Sequence, residues 1–228
     1  MPILEVKDLN IEIAGSKIVE NISFTINKGD VLAIIGPNGA GKTMLLKALL
    51  GLIPFEGKIE WAQNIKLGYV PQRLEIETDI PLTVKEFFRL RDRNFNNEKI
   101  IEILKSVQLG ENILNSGFGQ ISVGQRQRIL IAWAMLNNPD VLLFDEPTAD
   151  IDIAGQESIY KMLHEIQNKT NLTIILVSHD LNIVYRYAEK ILCLNKKQIC
   201  MGTPQEILRT ERLLELYGGE KAFYQHKH

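Results

Sequence analysis

The segment GPNGAGKT at positions 36–43 combines glycines with one lysine and one threonine, residue types that suit the binding of a polyphosphate. Glycine lets the backbone bend closely around an anion, and the free amides of such a loop point at phosphate oxygens. The lysine supplies a positive charge for the terminal phosphates, and the threonine hydroxyl is a ligand for Mg²⁺. The residues expected to bind nucleotide phosphates are Gly36, Pro37, Asn38, Gly39, Ala40, Gly41, Lys42 and Thr43.

The elements around this segment favour the same chemistry. The preceding VLAII at 31–35 is a continuous apolar run, typical of a strand that is buried on both faces. The following KTMLLKALLGL has helical periodicity, and the N-terminus of a helix attracts anions. The alternative is a glycine turn that matches the motif by chance, and it does not account for this context.

Two adjacent carboxylates follow a second apolar strand. VLLFDEP places Asp145 and Glu146 at the carboxyl end of this strand, where ligands bind in open α/β sheets. Asp145 is expected to hold Mg²⁺ directly or through water, and Glu146 to orient or deprotonate an attacking water. The alternative is that both are solvated loop acids, which fits less well with the apolar strand before them.

Two further polar residues end strand-like segments. In LVSHD, His179 is expected to donate a ring N–H to the γ-phosphate, and in YVPQR, Gln72 is expected to reach Mg²⁺ or the attacking water. Purely structural roles for these two side chains are the alternatives. The expected catalytic residues are therefore Glu146, His179 and Lys42, with Thr43, Gln72 and Asp145 at the magnesium.

Composition limits the class of protein. The 228 residues carry a net charge of −2, with 45% hydrophobic and 24% charged residues, as in a globular domain. This balance argues against a nucleic-acid partner. No apolar run approaches the ~20 residues that cross a bilayer, and the N-terminus has no secretory-signal pattern. Cys193 and Cys200 have no metal-site spacing and are expected to be small, unpaired core or edge residues.

Strand and helix patterns alternate along the chain. ILEVKDLNIEI and NISFTI alternate apolar with polar residues, as in a half-buried antiparallel sheet. The continuous apolar strands predict a parallel sheet, and helical periodicity dominates from about 81 to 138. We expect one α/β domain over 1–228, with a parallel-sheet core (1–72 and 139–228), an N-terminal antiparallel β subdomain and an inserted α-helical lobe at about 73–138.

ISVGQ at 121–125 adds a serine and a glycine at the start of a predicted helix, where a hydroxyl and free amides form an anion site. With this segment between the phosphate loop and VLLFDE, the whole chain resembles the ATP-binding subunits of ABC transporters. The resemblance implies a P-loop core with a helical lobe, ATP and Mg²⁺ as cofactors, and two subunits that close head to tail around two ATP molecules. It places Ser122, Val123, Gly124 and Gln125 at the γ-phosphate held by the other subunit, and Asp152 at the dimer interface.

Two positions depart from the family pattern. Val123 stands where the family usually has glycine, which matters only if the position needs a positive φ or a close backbone approach. We favour ordinary helical angles, with which closure survives; otherwise ATP hydrolysis is slow. Ile13 stands where many relatives stack an aromatic ring on adenine, so the preference for ATP over GTP stays open. Arg126 and Arg128 are expected to serve the helix surface and lobe packing rather than the phosphate.

Longer segments indicate one kind of transporter. GYVPQR with IPLTVKEFFRLR, and DIDIAGQESIYKMLHEI with EKILCLNKKQICMGTPQEIL, resemble the ATPases of zinc and manganese importers, most of all the zinc-uptake type. The resemblance implies a homodimer on the cytoplasmic face of the membrane, working with a polytopic permease and an extracytoplasmic metal-binding protein. Leu74, Ile76 and Ile80 are expected either to contact the permease or to complete the core of the lobe.

Two other functions stay as alternatives. One is an ABC-type ATPase that acts on nucleic acid or ribosomes; such proteins usually have two ATPase units or a coiled-coil insertion, patterns that this sequence does not show. The other is a hydrolysis-poor regulatory subunit, suggested only by Val123 and Ile13. His226 and His228 could bind metal, but we expect them to be dispensable for uptake.

Overall fold

In a computed structural model, the chain packs as two compact units, one formed by 1–65 with 173–228 and the other by 66–172. The helical lobe predicted at 73–138 lies within the limits of the second unit, and its boundaries stay a prediction. The residues that the structure describes are 2–72, 81–91, 96–146, 151–207 and 216–217.

The described residues form both strands and helices. The strands are β1 (Pro2–Ile13), β2 (Ser16–Asn27), β3 (Val31–Ile35), β4 (Glu56–Trp61), β5 (Leu67–Val70), β6 (Val141–Asp145), β7 (Thr173–Val177), β8 (Lys190–Asn195) and β9 (Lys197–Gly202). The helices are α1 (Lys42–Leu49), α2 (Val84–Arg89), α3 (Asn97–Ser106), α4 (Val123–Met135), α5 (Ile153–Thr170), α6 (Leu181–Tyr187) and α7 (Pro204–Ile207). None of the helices in the described ranges combines the length and apolar character of a bilayer-spanning segment.

The N-terminal strands form the antiparallel sheet that their alternating sequence predicts. β1 lies between β2 and β4, so that Val6 faces Phe24 on one side and Ile59 on the other. Apolar residues of β1 such as Leu4 and Val6 are buried, while polar residues between them are exposed or half-buried. Period-two burial of this kind leaves one face of a sheet for the core and the other for solvent.

The parallel strands of the first unit position the phosphate loop. β3 lies between β8 and β7, with Ala33 opposite Ile191 and Leu176. Every residue of β3 and of β7 is buried, as expected for strands covered on both faces. Because β3 and β7 are parallel neighbours, their carboxyl ends lie side by side, and the segments that follow them begin at the same edge of the sheet.

The second unit combines a parallel strand pair with helices whose starts are capped by side chains. β5 and β6 are parallel, with Val70 opposite Phe144. Ser122 begins α4 and Asp152 begins α5, and each side chain accepts a hydrogen bond from a backbone amide in the first turn of its helix. These caps satisfy amides that have no partner within the helix, so the sequence fixes both helix starts locally.

The expectation of unpaired cysteines is wrong, because the structure joins Cys193 and Cys200 in a disulfide. The two residues are direct partners on the antiparallel strands β8 and β9, with 4.9 Å between their Cα atoms. That separation lies in the range that a disulfide spans. A tight turn at Lys196 brings the two strands back together, and the spacing of the two cysteines alone does not indicate this turn.

Candidate functional site

The segment 36–43 forms a loop between β3 and α1, as its sequence predicts. Gly39 and Gly41 have φ angles of 78° and 96°, which side-chain-bearing residues rarely adopt. Gly41 is the residue before α1 and has no side chain to cap it. No side chain at the cap position therefore stands between the start of α1 and an anion, and the helix dipole favours negative charge there.

The ammonium group of Lys42 lies inside this loop. The residue is 6% exposed, and its Nζ donates hydrogen bonds to the carbonyl oxygens of Gly36 at 2.9 Å and Pro37 at 3.1 Å. A buried charge needs such partners. These bonds hold the positive charge against the backbone that is expected to surround the phosphates.

The hairpin of β8 and β9 supports the loop from the C-terminal part of the chain. The backbone amide of Lys196, at the turn of the hairpin, donates to the carbonyl oxygen of Ala40 at 3.0 Å. The carbonyl of Leu194 lies so close to Gly36 that a Cβ at Gly36 would overlap with it. Tyr217 also hydrogen-bonds to the backbone of Gly36, while burial raises the pKa of its hydroxyl. These three contacts were not predictable from the sequence, because no local pattern links positions so far apart.

His179 lies just after β7 at the edge of the first unit where the phosphate loop begins. The preceding residue, Ser178, donates its amide to the carbonyl of Ile34 at 3.3 Å, which fixes this segment against the end of β3. The following residue, Asp180, caps α6. His179 itself is exposed, so its ring is accessible to a ligand at this edge.

In the second unit, Gln72 and Glu146 are brought together at the carboxyl ends of β5 and β6. Nε2 of Gln72 donates to Oε2 of Glu146 at 3.0 Å. Both residues follow paired positions of parallel strands by two residues, which explains their proximity. Glu146 has a φ of 49°, an angle uncommon for residues other than glycine. The role of Gln72 at a magnesium ion stays a prediction.

Asp145 is a buried carboxylate, with 2% of its surface exposed. The neighbouring Tyr69 on β5 has its pKa raised to about 12, first by burial and then by the charge of Asp145 and a hydrogen bond with it. The hydroxyl of Tyr69 therefore stays protonated at neutral pH and acts as a donor to the carboxylate. The sequence does not indicate this role of Tyr69, because its partner Asp145 lies on another strand.

The segment ISVGQ starts α4 with a reciprocal cap. The Ser122 hydroxyl accepts from the amide of Gln125 at 3.2 Å, and the Gln125 side chain accepts from the amide of Ser122 at 3.0 Å. Val123 is the first residue of the helix and is 49% exposed, and a Cβ at Gly124 would meet nothing within 4 Å. The helix start is thus accessible, and Val123 takes helical backbone angles that any residue adopts.

The remaining predicted positions lie at element ends or outside the described residues. Asp152 is exposed, and its Oδ1 accepts from the amide of Gly155 at 2.9 Å at the start of α5. Ile13, the last residue of β1, is 40% exposed. Several positions singled out in the sequence lie outside the described residues, namely Leu74, Ile76, Ile80, His226 and His228.

Comparison with known proteins finds a matching family model and similar proteins over the full chain. A family model described as ABC transporter matches residues 19–149. The chain is 38% identical to a zinc import ATP-binding protein of Buchnera aphidicola from Schizaphis graminum, over 100% of this chain and 97% of that protein. It is 36% identical to the protein of the same name from Vibrio cholerae, over 98% and 87% of the two chains.

A solved structure of a metal-chelate type ABC transporter in an inward-facing conformation superimposes on the chain with a TM-score of 0.85 at 30% identity, covering 95% of this chain and 89% of that one. This likeness confirms the predicted α/β class with parallel and antiparallel strands. The chain belongs to the ABC transporter family.

Proposed function

We propose that the chain is the ATP-binding and ATP-hydrolysing subunit that energises an importer of zinc. The observation that carries this proposal is the similarity over the full chain to zinc import ATP-binding proteins. The phosphate loop, with Lys42 buried inside it, supports ATP as the energy source. Because the cargo need not touch this subunit, the choice of zinc over manganese rests on the relatives alone.

The oxygen donors of the chain fit Mg²⁺, which prefers carboxylate and hydroxyl ligands. Asp145 offers a buried carboxylate held by Tyr69, and Thr43 offers a hydroxyl at the start of α1. Bound Mg²⁺ would neutralise charge on the β- and γ-phosphates. Gln72 is a further candidate for the magnesium or its water.

Glu146 is proposed as the general base. Its Oε2 accepts a hydrogen bond from Nε2 of Gln72 at 3.0 Å, which restricts the orientation of the carboxylate. Glu146 accepts a proton as the water oxygen bonds to the γ-phosphorus and the bond from that phosphorus to the bridging oxygen breaks. Lys42 and His179 stabilise the negative charge on the transferred group.

The exposed start of α4 supports a second copy of the chain as a partner. Anions bind at helix N-termini, and we propose that Ser122, Val123, Gly124 and Gln125 contact the γ-phosphate of ATP held by a second copy of the chain. Asp152 would lie at the same dimer interface. A permease in the membrane and an extracytoplasmic metal-binding protein complete the proposed importer, with this subunit peripheral on the cytoplasmic face.

The variant Glu146→Gln tests the ATPase and the dimer together. It keeps the size of the side chain but removes the base, so we expect a dimer that is trapped by MgATP and turns over at least about a hundred-fold more slowly. Lys42→Ala in the same background is the control and should stay monomeric. A Glu146→Gln chain that stays monomeric at saturating MgATP would overturn the proposed dimer.

The cargo is tested in the assembled transporter. We expect the chain to co-purify with its permease, and the ATPase of that complex to rise when zinc-loaded binding protein is added. Manganese-loaded and metal-free binding proteins are the controls. Stimulation by RNA or ribosomes in place of the metal would instead favour the non-transport alternative.

A further inference from the structure

The guanidinium of Arg128 joins three helical elements of the second unit. Its Nη2 donates to the hydroxyl of Ser158 on α5 at 2.9 Å. Its Nη1 lies 2.8 Å from the carbonyl oxygen of Val107, just after α3, and 3.2 Å from both Oε1 of Gln108 and Sδ of Met162. Arg128 itself belongs to α4, so one side chain connects all three helices.

These contacts suit an arginine and no other side chain. The planar guanidinium carries several donors in a fixed fork, whereas a lysine is a compact point charge on a flexible stem. The carbonyl of Val107 belongs to the C-terminal end of α3, where carbonyls lack helical partners and the dipole favours a positive charge. Burial lowers the pKa of Arg128, yet the group stays charged at neutral pH.

Arg128 and its partner Ser158 occupy matching positions along α4 and α5. Arg128 is five residues after Val123, the first residue of α4. Ser158 is likewise five residues after Ile153, the first residue of α5. Near the other ends of the same helices, Met135 and Ile166 line one groove of about 560 Å³. Arg128 contacts α5 in the first half of both helices, and the later residues Met135 and Ile166 border the same groove, so α4 and α5 run in the same general direction from their N-termini.

The end of the helix pair at which both helices begin is accessible to a partner. Ser122 and Asp152 cap the two helices there, and the first residues after the caps are apolar yet exposed, with Val123 49% and Ile153 82% exposed. Each helix N-terminus attracts negative charge. A partner that meets both starts at once requires a fixed register between the two helices.

We propose that Arg128 is a positioning residue that sets this register, so that the Ser122 and Asp152 ends of α4 and α5 reach the second copy of the chain together. The inference rests on the proposed head-to-tail dimer. Arg128 acts through the helix starts and does not touch the nucleotide itself. Its loss should therefore weaken the closure of two nucleotide-loaded chains more than the binding of MgATP to one chain.

The test compares dimer dissociation constants in the Glu146→Gln background, measured by analytical ultracentrifugation in saturating MgATP. Arg128→Lys should weaken the dimer at least about ten-fold, because hydrogen bonds from a charged donor are lost. The affinity of the single chain for MgATP should stay within about two-fold of the parent value, with unchanged stoichiometry. General unfolding would instead weaken both nucleotide binding and dimerisation. Arg126→Lys is the matched control, since the guanidinium carbon of Arg126 lies over Phe118, 5.7 Å from the ring centroid, and it should leave the dimer within about two-fold.

A double-mutant cycle separates positioning from general packing. Ser158→Ala should weaken the dimer about three-fold alone and have no further effect together with Arg128→Lys, because contacting residues are not additive. Ser158→Asp should restore part of the affinity of Arg128→Lys by giving the lysine an ionic partner. Ser158 is exposed, so its variants should fold even if those of Arg128 do not.

Two results would overturn the inference. One is a folded Arg128→Lys chain that dimerises as tightly as its parent, and the other is an additive cycle with Ser158→Ala. If the parent Glu146→Gln chain does not dimerise at all, the proposed head-to-tail dimer is what fails, and the register that Arg128 is proposed to set has no partner to serve.

Discussion

The side-chain amide of Gln72 donates a hydrogen bond to Oε2 of Glu146, with 3.0 Å between the two atoms, although the residues are 74 positions apart in the chain. The bond exists because β5 and β6 are parallel neighbours and each residue comes two positions after a member of the register pair Val70 and Phe144. A carboxylate held on one oxygen keeps the other directed at a fixed point. Gln72 is thus placed to orient the proposed base.

Gln72→Ala should lower kcat about ten-fold or more while KM for ATP changes less than about three-fold, because the proposed base keeps its identity but loses its orientation. Steady-state ATPase assays measure both constants. Gln72→Glu should lower kcat further than Gln72→Ala does, since it replaces the donor by a second negative charge. Wild-type kcat in either variant would remove Gln72 from the mechanism.

Val123→Gly restores the residue that the family usually has, and it should change ATP turnover by less than about ten-fold. Val123 is the first residue of α4 and has helical angles, so glycine is not required there by the backbone. Glycine is less favourable in a helix than other residues by up to about 1 kcal/mol. This cost offsets any stabilisation from a closer approach of the backbone to the phosphate. A ten-fold rise in kcat would show instead that the valine hinders closure.

Gly36→Ala should abolish MgATP binding, measured by calorimetry, and destabilise the fold, because the added Cβ overlaps with the carbonyl oxygen of Leu194. Gly51→Ala is the control: Gly51 has a φ of 68°, but a Cβ there meets nothing within 4 Å. This control should cost about 1–2 kcal/mol of stability for the backbone angle alone and leave MgATP affinity unchanged. Equal effects of the two changes would contradict the close contact.

The cysteine pair should make stability depend on redox conditions. Cys193 and Cys200 close the hairpin of β8 and β9, and such a link restricts the unfolded chain, so reduction should lower the free energy of unfolding by about 2 kcal/mol. Urea denaturation with and without dithiothreitol measures the difference. Cys200→Ala is the control, and its free energy of unfolding should be the same with and without dithiothreitol. An unmodified chain whose free energy of unfolding does not change with dithiothreitol would refute the link.

How much the sequence predicted depends on the distance over which each feature is encoded. The loop at 36–43, the buried strand β3 and the start of α4 at Ser122 are local, since neighbouring residues set turn angles, burial and caps, and the structure has each of them. The helical angles at Val123 also agree with the expectation that we favoured.

Features that depend on strand neighbours were not predictable. The hydrogen bond between Gln72 and Glu146 and the donor Tyr69 beside Asp145 arise from the register of β5 and β6. The disulfide between Cys193 and Cys200 arises from the hairpin of β8 and β9 in the same way. A single sequence lacks the pairing of strands, so such partners stay hidden in it.

The amide of Lys196 on the carbonyl of Ala40, together with Leu194 against Gly36, means that the floor of the phosphate loop is built from the last fifth of the chain. A truncated protein ending at 189 would keep every ATP-binding motif and still lack the surface on which the loop rests. Motif content therefore does not define the smallest autonomous nucleotide-binding fragment, and expression boundaries for this protein must extend through the hairpin at 190–202.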